Sequence, residues 1–511
     1  MKKLSLKINW RDINIPLLVF LVLFLNVKFV VKLIAILALM AYSKNFKLGL
    51  AWKNSRLPVF YGLLAVIELL KYFLLTRIFT LNYALLFGIG LLQWVVALMA
   101  LHHIKLFVEK DPVEKTHRTI KTFFVLNFLV SVFFLALLIF KPEWLSYWGH
   151  GTDASFSSPS AGDTILGISF DSSIVNAAIN SLGLIYFVYK KDYLFAFFCI
   201  IIISLCTSNV IFVFIAATML LMLITVRQKK LRLAVFINGV ILLLSYFLIS
   251  PANRSYVRNY VIQMYVLNKN PETIAQQNPD TTTASTGSSA PTEPAQGKLP
   301  DTVYSFSNEK LGKAVDHLIS IKEEKNDSGV PQLELNEVDF KSRPGKLISF
   351  FQTYNYLKSG VLPFTFGAGM GNFSSKLAFR AAGVKTLGSY PKKYAYVAPV
   401  FEKNHLRTFL FYLNSDASQH SVLNYPNSVY NQLLGEYGVL GGILFAVFYL
   451  GYFLKRFRWL SYGRYLVLIL LAFFFMEYWF ETYSVVIVFE LLMLLNLKEK
   501  MEALTETSTG T

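Results

Sequence analysis

Charge is scarce in this chain: only 16% of its 511 residues are charged, and the 31 acids are outnumbered by 49 Lys and Arg. With 54% hydrophobic residues and a mean hydropathy of +0.47, there is too little charge to clothe a soluble protein of this length. Cysteine is scarcer still. Cys199 and Cys206 lie seven apart within one apolar run, which excludes a disulfide framework and reads as two buried thiols. The short alternating segments of a membrane barrel are missing. The first forty residues lack a small-residue cleavage site, so a cleavable signal peptide is not expected. No Asp-x-Asp pair stands in the connections expected outside. Asp416 and His420, at i, i+4 spacing, are too few ligands for a stable metal site, and neither a metal nor another cofactor is predicted.

What the chain has in abundance is apolar runs. A helix needs roughly 20 apolar residues to cross about 30 Å of hydrocarbon. Runs near 12–26, 28–42, 57–77, 80–102, 121–140, 170–189, 193–207, 209–226, 232–250, 433–454, 463–479 and 481–497 predict an all-α polytopic membrane protein with about 12 transmembrane helices. The first two are short and interrupted by Asn26 and Lys28, which also suits a re-entrant hairpin. Every second connection is basic, among them Lys105 to Lys121, Lys190 with Lys191, Arg227 to Arg232, and Lys455 to Arg464. Such cations resist translocation, so both termini are expected inside and the long segment outside. The organisation predicted is a bundle over 1–250, a large outer loop over 251–430, further spans over 431–499 and a cytoplasmic tail over 500–511. Much of the net charge of +18 is thus topological; it suits anionic membrane lipids and implies no nucleic acid.

The outer loop changes character along its length. Residues 268–300 are rich in Thr, Ser, Pro, Ala and Gln and read as a flexible insert without chemistry. Residues 302–340 are mixed and acidic, and suggest one or two amphipathic helices. Between 341 and 415 stand eleven Lys and Arg against Glu402 as the only acid, interleaved with aromatics such as Phe351, Tyr354, Phe364 and Phe373. That pattern suits a headgroup collar and equally an electropositive cleft for a polyanionic, partly apolar substrate at the outer leaflet.

Two motifs frame this region. "FTFGAGMGNF" carries Gly367, Gly369 and Gly371, a spacing that permits a tight turn packed on a helix or backbone N–H groups turned toward a phosphate or sugar. It lacks the strand context of a dinucleotide fingerprint. "YPNSVYNQLLGEYG" then places Asn427, Asn431, Gln432 and Glu436 at the doorstep of a span. A carboxylate there is costly unless it faces a cavity or partner. These residues suit the floor of a cleft, or the capping and seating of a helix.

The order "FGAGMGNFSSKLAFR", a long outer loop, then "NSVYNQLLGEYGVLGG" leading into a span resembles the O-antigen ligase and O-antigen polymerase superfamily of bacterial membrane glycosyltransferases. The sharp motifs cover about residues 343–443, and the spans extend the resemblance over most of the chain. The resemblance implies a GT-C-like helical fold in the inner membrane with a mainly helical periplasmic loop. It implies inverting, metal-independent transfer of a glycan from undecaprenyl diphosphate to a hydroxyl of a glycan, lipid A-core or protein acceptor. It further implies arginines that hold the diphosphate and a loop histidine or carboxylate that acts on the acceptor, as the chemistry requires. Arg254 and Arg258, beyond the ninth span, match the family's diphosphate-binding position. "CTSNV" puts Asn209 where an arginine is frequent, so one cation is missing; Arg343, Lys346 or Arg380 are the loop cations available to compensate. Asn427 stands at the frequent histidine position and is no base, which leaves His405 and His420 as base or acceptor-binding candidates. Glu436 is expected to act as a base or to orient one, with Asn427, Asn431 and Gln432 bonding sugar hydroxyls.

Two other classes of function fit parts of this pattern. A polytopic transporter would show repeated halves and intramembrane charge along a path. Here nine expected spans precede the loop and three follow, and the conspicuous exception to uncharged mid-spans is Glu68 with Lys71, placed to pair locally. A non-enzymatic component of envelope polysaccharide assembly would need the cationic loop without a proton acceptor.

Overall fold

The computed structural model describes residues 12–43, 57–75, 80–148, 161–206, 208–249, 343–383, 390–413 and 421–509, all within one compact unit. Among these the regular structure is helical throughout, with no strand. The first nine helices are α1 (Ile15–Phe24), α2 (Phe29–Ser43), α3 (Leu57–Leu74), α4 (Leu81–Lys110), α5 (Val113–Phe140), α6 (Ser173–Lys190), α7 (Tyr193–Leu205), α8 (Asn209–Thr225) and α9 (Lys229–Ile249). Past the long insertion come α10 (Gly345–Lys358), α11 (Val361–Phe366) and α12 (Lys376–Ala381). Helix α13 covers 399–413 with a π turn over Glu402–Leu406, and α14 (Val429–Leu444) continues through a π turn, Phe445–Leu450, into Gly451–Leu454. Then follow α15 (Gly463–Phe474), a single turn at Trp479–Thr482, and α16 (Ser484–Thr509).

A helix therefore stands on each segment expected to cross. Four are long and apolar enough to do so alone: Leu81–Lys110, Val113–Phe140, Lys229–Ile249 and Val429–Trp459. The others are shorter, and α1, with 10 residues, reaches only about half of a bilayer's hydrocarbon thickness. Their surroundings explain how short helices persist. Every residue of α6 from Val175 to Val188 is buried, and α15 buries most of its length, so these helices face protein rather than lipid.

Local chemistry sets the boundaries. Thr80 caps α4 by accepting from the Tyr83 N–H at 3.4 Å, and Pro112 separates α4 from α5 because it cannot continue the hydrogen-bond ladder. Ser172 caps α6, which ends on Lys191 in the left-handed conformation.

Polar contacts gather at two ends of the bundle. At one, Lys498 donates to the carbonyls of Val108 and Glu109 at 2.9 and 3.2 Å, Lys190 pairs with Glu499 at 2.7 Å, and Asp192 lies 2.8 Å from His117 and 2.9 Å from Lys121. At the other, the Val27 N–H donates to Ser169 at 2.8 Å, Ser484 to the Leu25 carbonyl at 2.9 Å, and Asn82 to the Ala395 carbonyl at 2.9 Å. An aromatic core lies deeper, with Phe60, Tyr61, Trp94, Tyr449 and Phe480 in mutual contact and Tyr61 donating to Glu490 at 2.7 Å.

Candidate functional site

The two motif stretches lie on one another. Gly438 breaks α14 with φ +67° and ψ −165°, a conformation open to glycine, and frees carbonyls of the preceding turn. The Gly435 and Glu436 carbonyls then accept from the N–H groups of Ala368 (2.8 Å) and Gly369 (2.9 Å) in the glycine loop. Approach is so close that a Cβ on Gly367 would fall 2.6 Å from the Gly438 nitrogen, and one on Gly438 2.6 Å from the Gly367 nitrogen. Gly435 makes room for Phe373 in the same way.

This loop is irregular backbone beside apolar helices, where each unpaired polar group is costly. Buried charges resolve the problem. Lys71 donates to the carbonyls of Phe366 and Glu436, the latter at 3.0 Å, and pairs with Glu68 at 3.6 Å. Glu68 accepts from the Met370 N–H at 3.0 Å. Glu436, wholly buried, accepts through Oε1 from the N–H groups of Phe373 (3.4 Å) and Ser374 (3.3 Å), and its Oε2 has no protein partner. The glycine loop's N–H groups at 368, 369, 370, 373 and 374 are thus occupied by the chain itself. Gly367, Gly369 and Gly371 all have positive φ and serve this turn.

Ser374 links Glu436 to His405. The His405 ring is fully buried, with Nδ1 2.7 Å from Ser374 Oγ and Nε2 3.1 Å from the Ser349 carbonyl. A carbonyl only accepts, so Nε2 carries the proton, Ser374 donates to Nδ1, and the Tyr478 hydroxyl at 2.8 Å donates to Ser374. Burial pushes the imidazole's pKa down to about 3. Asn431 joins the same group: it donates to Ser349 Oγ at 3.0 Å and to the Pro426 carbonyl at 3.1 Å, and accepts from Thr353 at 2.9 Å. Gln432 is buried beside it with Oε1 unpartnered. Asn427 donates to Glu477 at 3.0 Å, and its carbonyl accepts from Lys346.

The loop cations divide into different roles. Lys346 is buried, donates to the Met476 carbonyl at 3.0 Å and lies over Phe475, and desolvation pushes its pKa down to about 7 against the raising influence of Glu477. It seats α10 and is no open anion ligand. Arg343 is exposed before α10, with its carbonyl accepting from Tyr412 at 2.6 Å. Arg380 stands on α12 among charges: Lys376 pairs with Asp171 at 3.5 Å, and Lys32 and Glu481 lie in the same electrostatic neighbourhood. Glu481 accepts from the first N–H groups of α12, those of Lys376 and Leu377, favourable for a carboxylate at a helix start. Asn209, at the frequent arginine position, is bonded to the Tyr246 hydroxyl.

Of the residues singled out in the sequence, the structure joins Glu436, His405 and Asn431 through Ser349 and Ser374, sets Gly367 on Gly438, and places Arg380 in a separate charge group. Arg254, Arg258, His420 and the 268–300 insert lie outside the described residues. Sequence reasoning missed Lys32, Asp171, Ser349, Ser374 and Glu481, and of these Lys32, Asp171 and Glu481 carried a signal as charges within apolar runs. Among the described residues no group of three or more His, Cys, Asp and Glu is assembled that would hold a metal. No protein-family model, curated protein or solved structure matches the chain.

Proposed function

We propose that the chain is a glycosyltransferase of the O-antigen ligase and polymerase type, a 12-span protein of a bacterial inner membrane with cytoplasmic termini and a periplasmic loop. The observation that carries the reading is the interlock of Gly367 with Gly438, because the two motifs behind the resemblance, far apart in sequence, form one seam at one polar end of the bundle. Beside it stands the charge group of Lys32, Lys376 and Arg380 with Asp171 and Glu481. The charges a transporter would need along a path, Glu68 and Lys71, are engaged in holding the loop.

In this mechanism the acceptor oxygen attacks the anomeric carbon while the bond from that carbon to the diphosphate oxygen breaks, and undecaprenyl diphosphate departs. Arg380 stabilises the departing charge by charge-assisted hydrogen bonds. Glu436 and His405 hold Ser374 and the glycine loop in place and are positioning residues. The acceptor's proton passes to His420. The test is donor consumption by the purified full chain in lipid with a polyprenyl-diphosphate glycan and an acceptor. Arg380→Ala and His420→Ala should each lower turnover about 100-fold, while Glu436→Gln, whose amide oxygen still accepts, should stay within about tenfold. Failure of the unaltered protein to release polyprenyl diphosphate with glycan, lipid A-core and protein acceptors alike overturns the reading.

A further inference from the structure

Helix α10 buries Ile348 and Leu357 but also turns large apolar side chains outward, which a segment in water would not favour. Its inward positions include Lys346, Ser349, Gln352 and Thr353, all buried, whereas Leu347, Phe351 and Tyr354 are 45%, 42% and 52% exposed. These three stand at i, i+4 and i+7 and form one stripe. Helix α11 continues it without a single buried residue: Val361 is 81% exposed, Leu362 56% and Phe364 51%. A soluble protein rarely leaves so continuous an apolar face open.

Depth identifies what covers this face. The chain leaves α11 at Gly367, which touches Gly438 of α14, a helix within one of the four segments able to cross a bilayer. Counting about 20 residues outward from the first cation at the far end of that helix, Lys455, brings the edge of a 30 Å hydrocarbon layer near Gly435. Helix α11 therefore lies at the rim of the hydrocarbon. The neighbouring end of α3 carries Phe73 and Leu74, 67% and 76% exposed, and Lys71 of that helix bonds the last carbonyl of α11. The apolar surface of the crossing helices thus runs on into α10 and α11. Cations flank the α10 part of the stripe: Arg343 is exposed before the helix, and Lys358 stands at its last position with its ammonium 4.4 Å from the centre of the Tyr354 ring.

We propose that α10 and α11 form an interfacial hairpin seated in the leaflet at the glycine-loop end, its apolar face among phospholipid acyl chains and Arg343 and Lys358 among anionic headgroups. Apolar burial with snorkelling cations is the physics of a helix lying in a membrane surface. The convex shape of a helix face suits a leaflet. The inference uses the membrane reading alone and is independent of whether glycan transfer occurs.

The test uses the full chain in lipid nanodiscs containing phosphatidylglycerol, with Cys199 and Cys206, both buried, replaced by Ala. A single cysteine at Phe351, at Leu362 or at the exposed Lys403 carries an environment-sensitive fluorophore, each protein being required to elute as the unlabelled chain does. Brominated acyl chains should quench the labels at 351 and 362 about threefold more than the label at 403, and aqueous iodide should do the reverse. Equal iodide access at all three positions overturns the proposal. So does protection of 351 and 362 from both quenchers, which would mean that protein covers the face. Loss of lipid quenching when a polyprenyl phosphate is added would assign the face to a single isoprenoid chain, and also overturns it.

Discussion

His405 shows how a side chain suited to proton transfer is consumed by architecture. Its Nε2 proton goes to Ser349, its Nδ1 lone pair receives Ser374, and Phe373 packs 4.7 Å from its ring centre. With the folded pKa pushed down to about 3, the ring stays neutral in the folded protein but takes up a proton below about 6.5 in the unfolded chain. Because the unfolded state then binds more protons, the stability that His405 contributes is complete above about pH 6.5 and is lost as pH falls toward 3. From pH 6.5 to 5 this loss amounts to about 2 kcal/mol. Thermal unfolding of the detergent-solubilised chain checks it: His405→Gln should lose less stability over that interval than the unaltered protein, and identical pH slopes would refute the assignment. None of this was legible in "FEKNHLRTF", since the partners sit 31 and 56 residues away in sequence.

At the scale of elements, the seam between the glycine loop and α14 is the feature the sequence announced most clearly and explained least. The spacing of Gly367, Gly369 and Gly371 suited a turn or a phosphate-holding backbone, and "LLGEYG" marked a span start whose acid had to face a cavity or partner. The break at Gly438 was not legible, because the apolar run through it reads as one unbroken span. Glu68 and Lys71 were placed as a local pair by their i, i+3 spacing, and the structure shows that pair at 3.6 Å. Their further bonds to Met370 and Phe366 span some 300 residues of sequence and leave no local trace. Two glycines with similar φ and opposite surroundings test the seam. Gly438→Ala places a methyl 2.5 Å from the Thr365 carbonyl carbon at φ +67° and should cost about 3 kcal/mol or more, since strain and overlap add. Gly383→Ala, at φ +75° with nothing within 4 Å, pays for strain alone and should cost about 1 kcal/mol. Parallel melting curves of the two variants read the difference, and equal shifts would mean that the seam is looser than described.

Over the whole molecule, helix positions were legible because apolar runs of this length leave few alternatives to a helix. Crossing was less legible: hydropathy cannot distinguish a short buried helix such as α7, with 13 residues, from a full span, since both are uniformly apolar. The charge pattern adds information that hydropathy lacks. The basic connections expected inside, those around Lys121, Lys190 and Lys498, meet one another at one end of the bundle, although nothing in their local sequence requires it. The glycine loop, α12 and the turn at 475–483 meet at the other. Such a partition is what alternate crossing of a bilayer produces, and it makes sidedness testable with two exposed positions. Arg227 follows α8, whose Thr225 hydroxyl lies 2.7 Å from that of Tyr465 near the first end, whereas Lys393 adjoins the second through the bonds of Asn82. In a chain whose own thiols are buried, an impermeant maleimide added to intact cells should label Lys393→Cys and spare Arg227→Cys until the membrane is opened. Labelling of both from the same side would mean that the two polar ends are not separated by the bilayer, and the periplasmic placement of the glycine loop would fall with it.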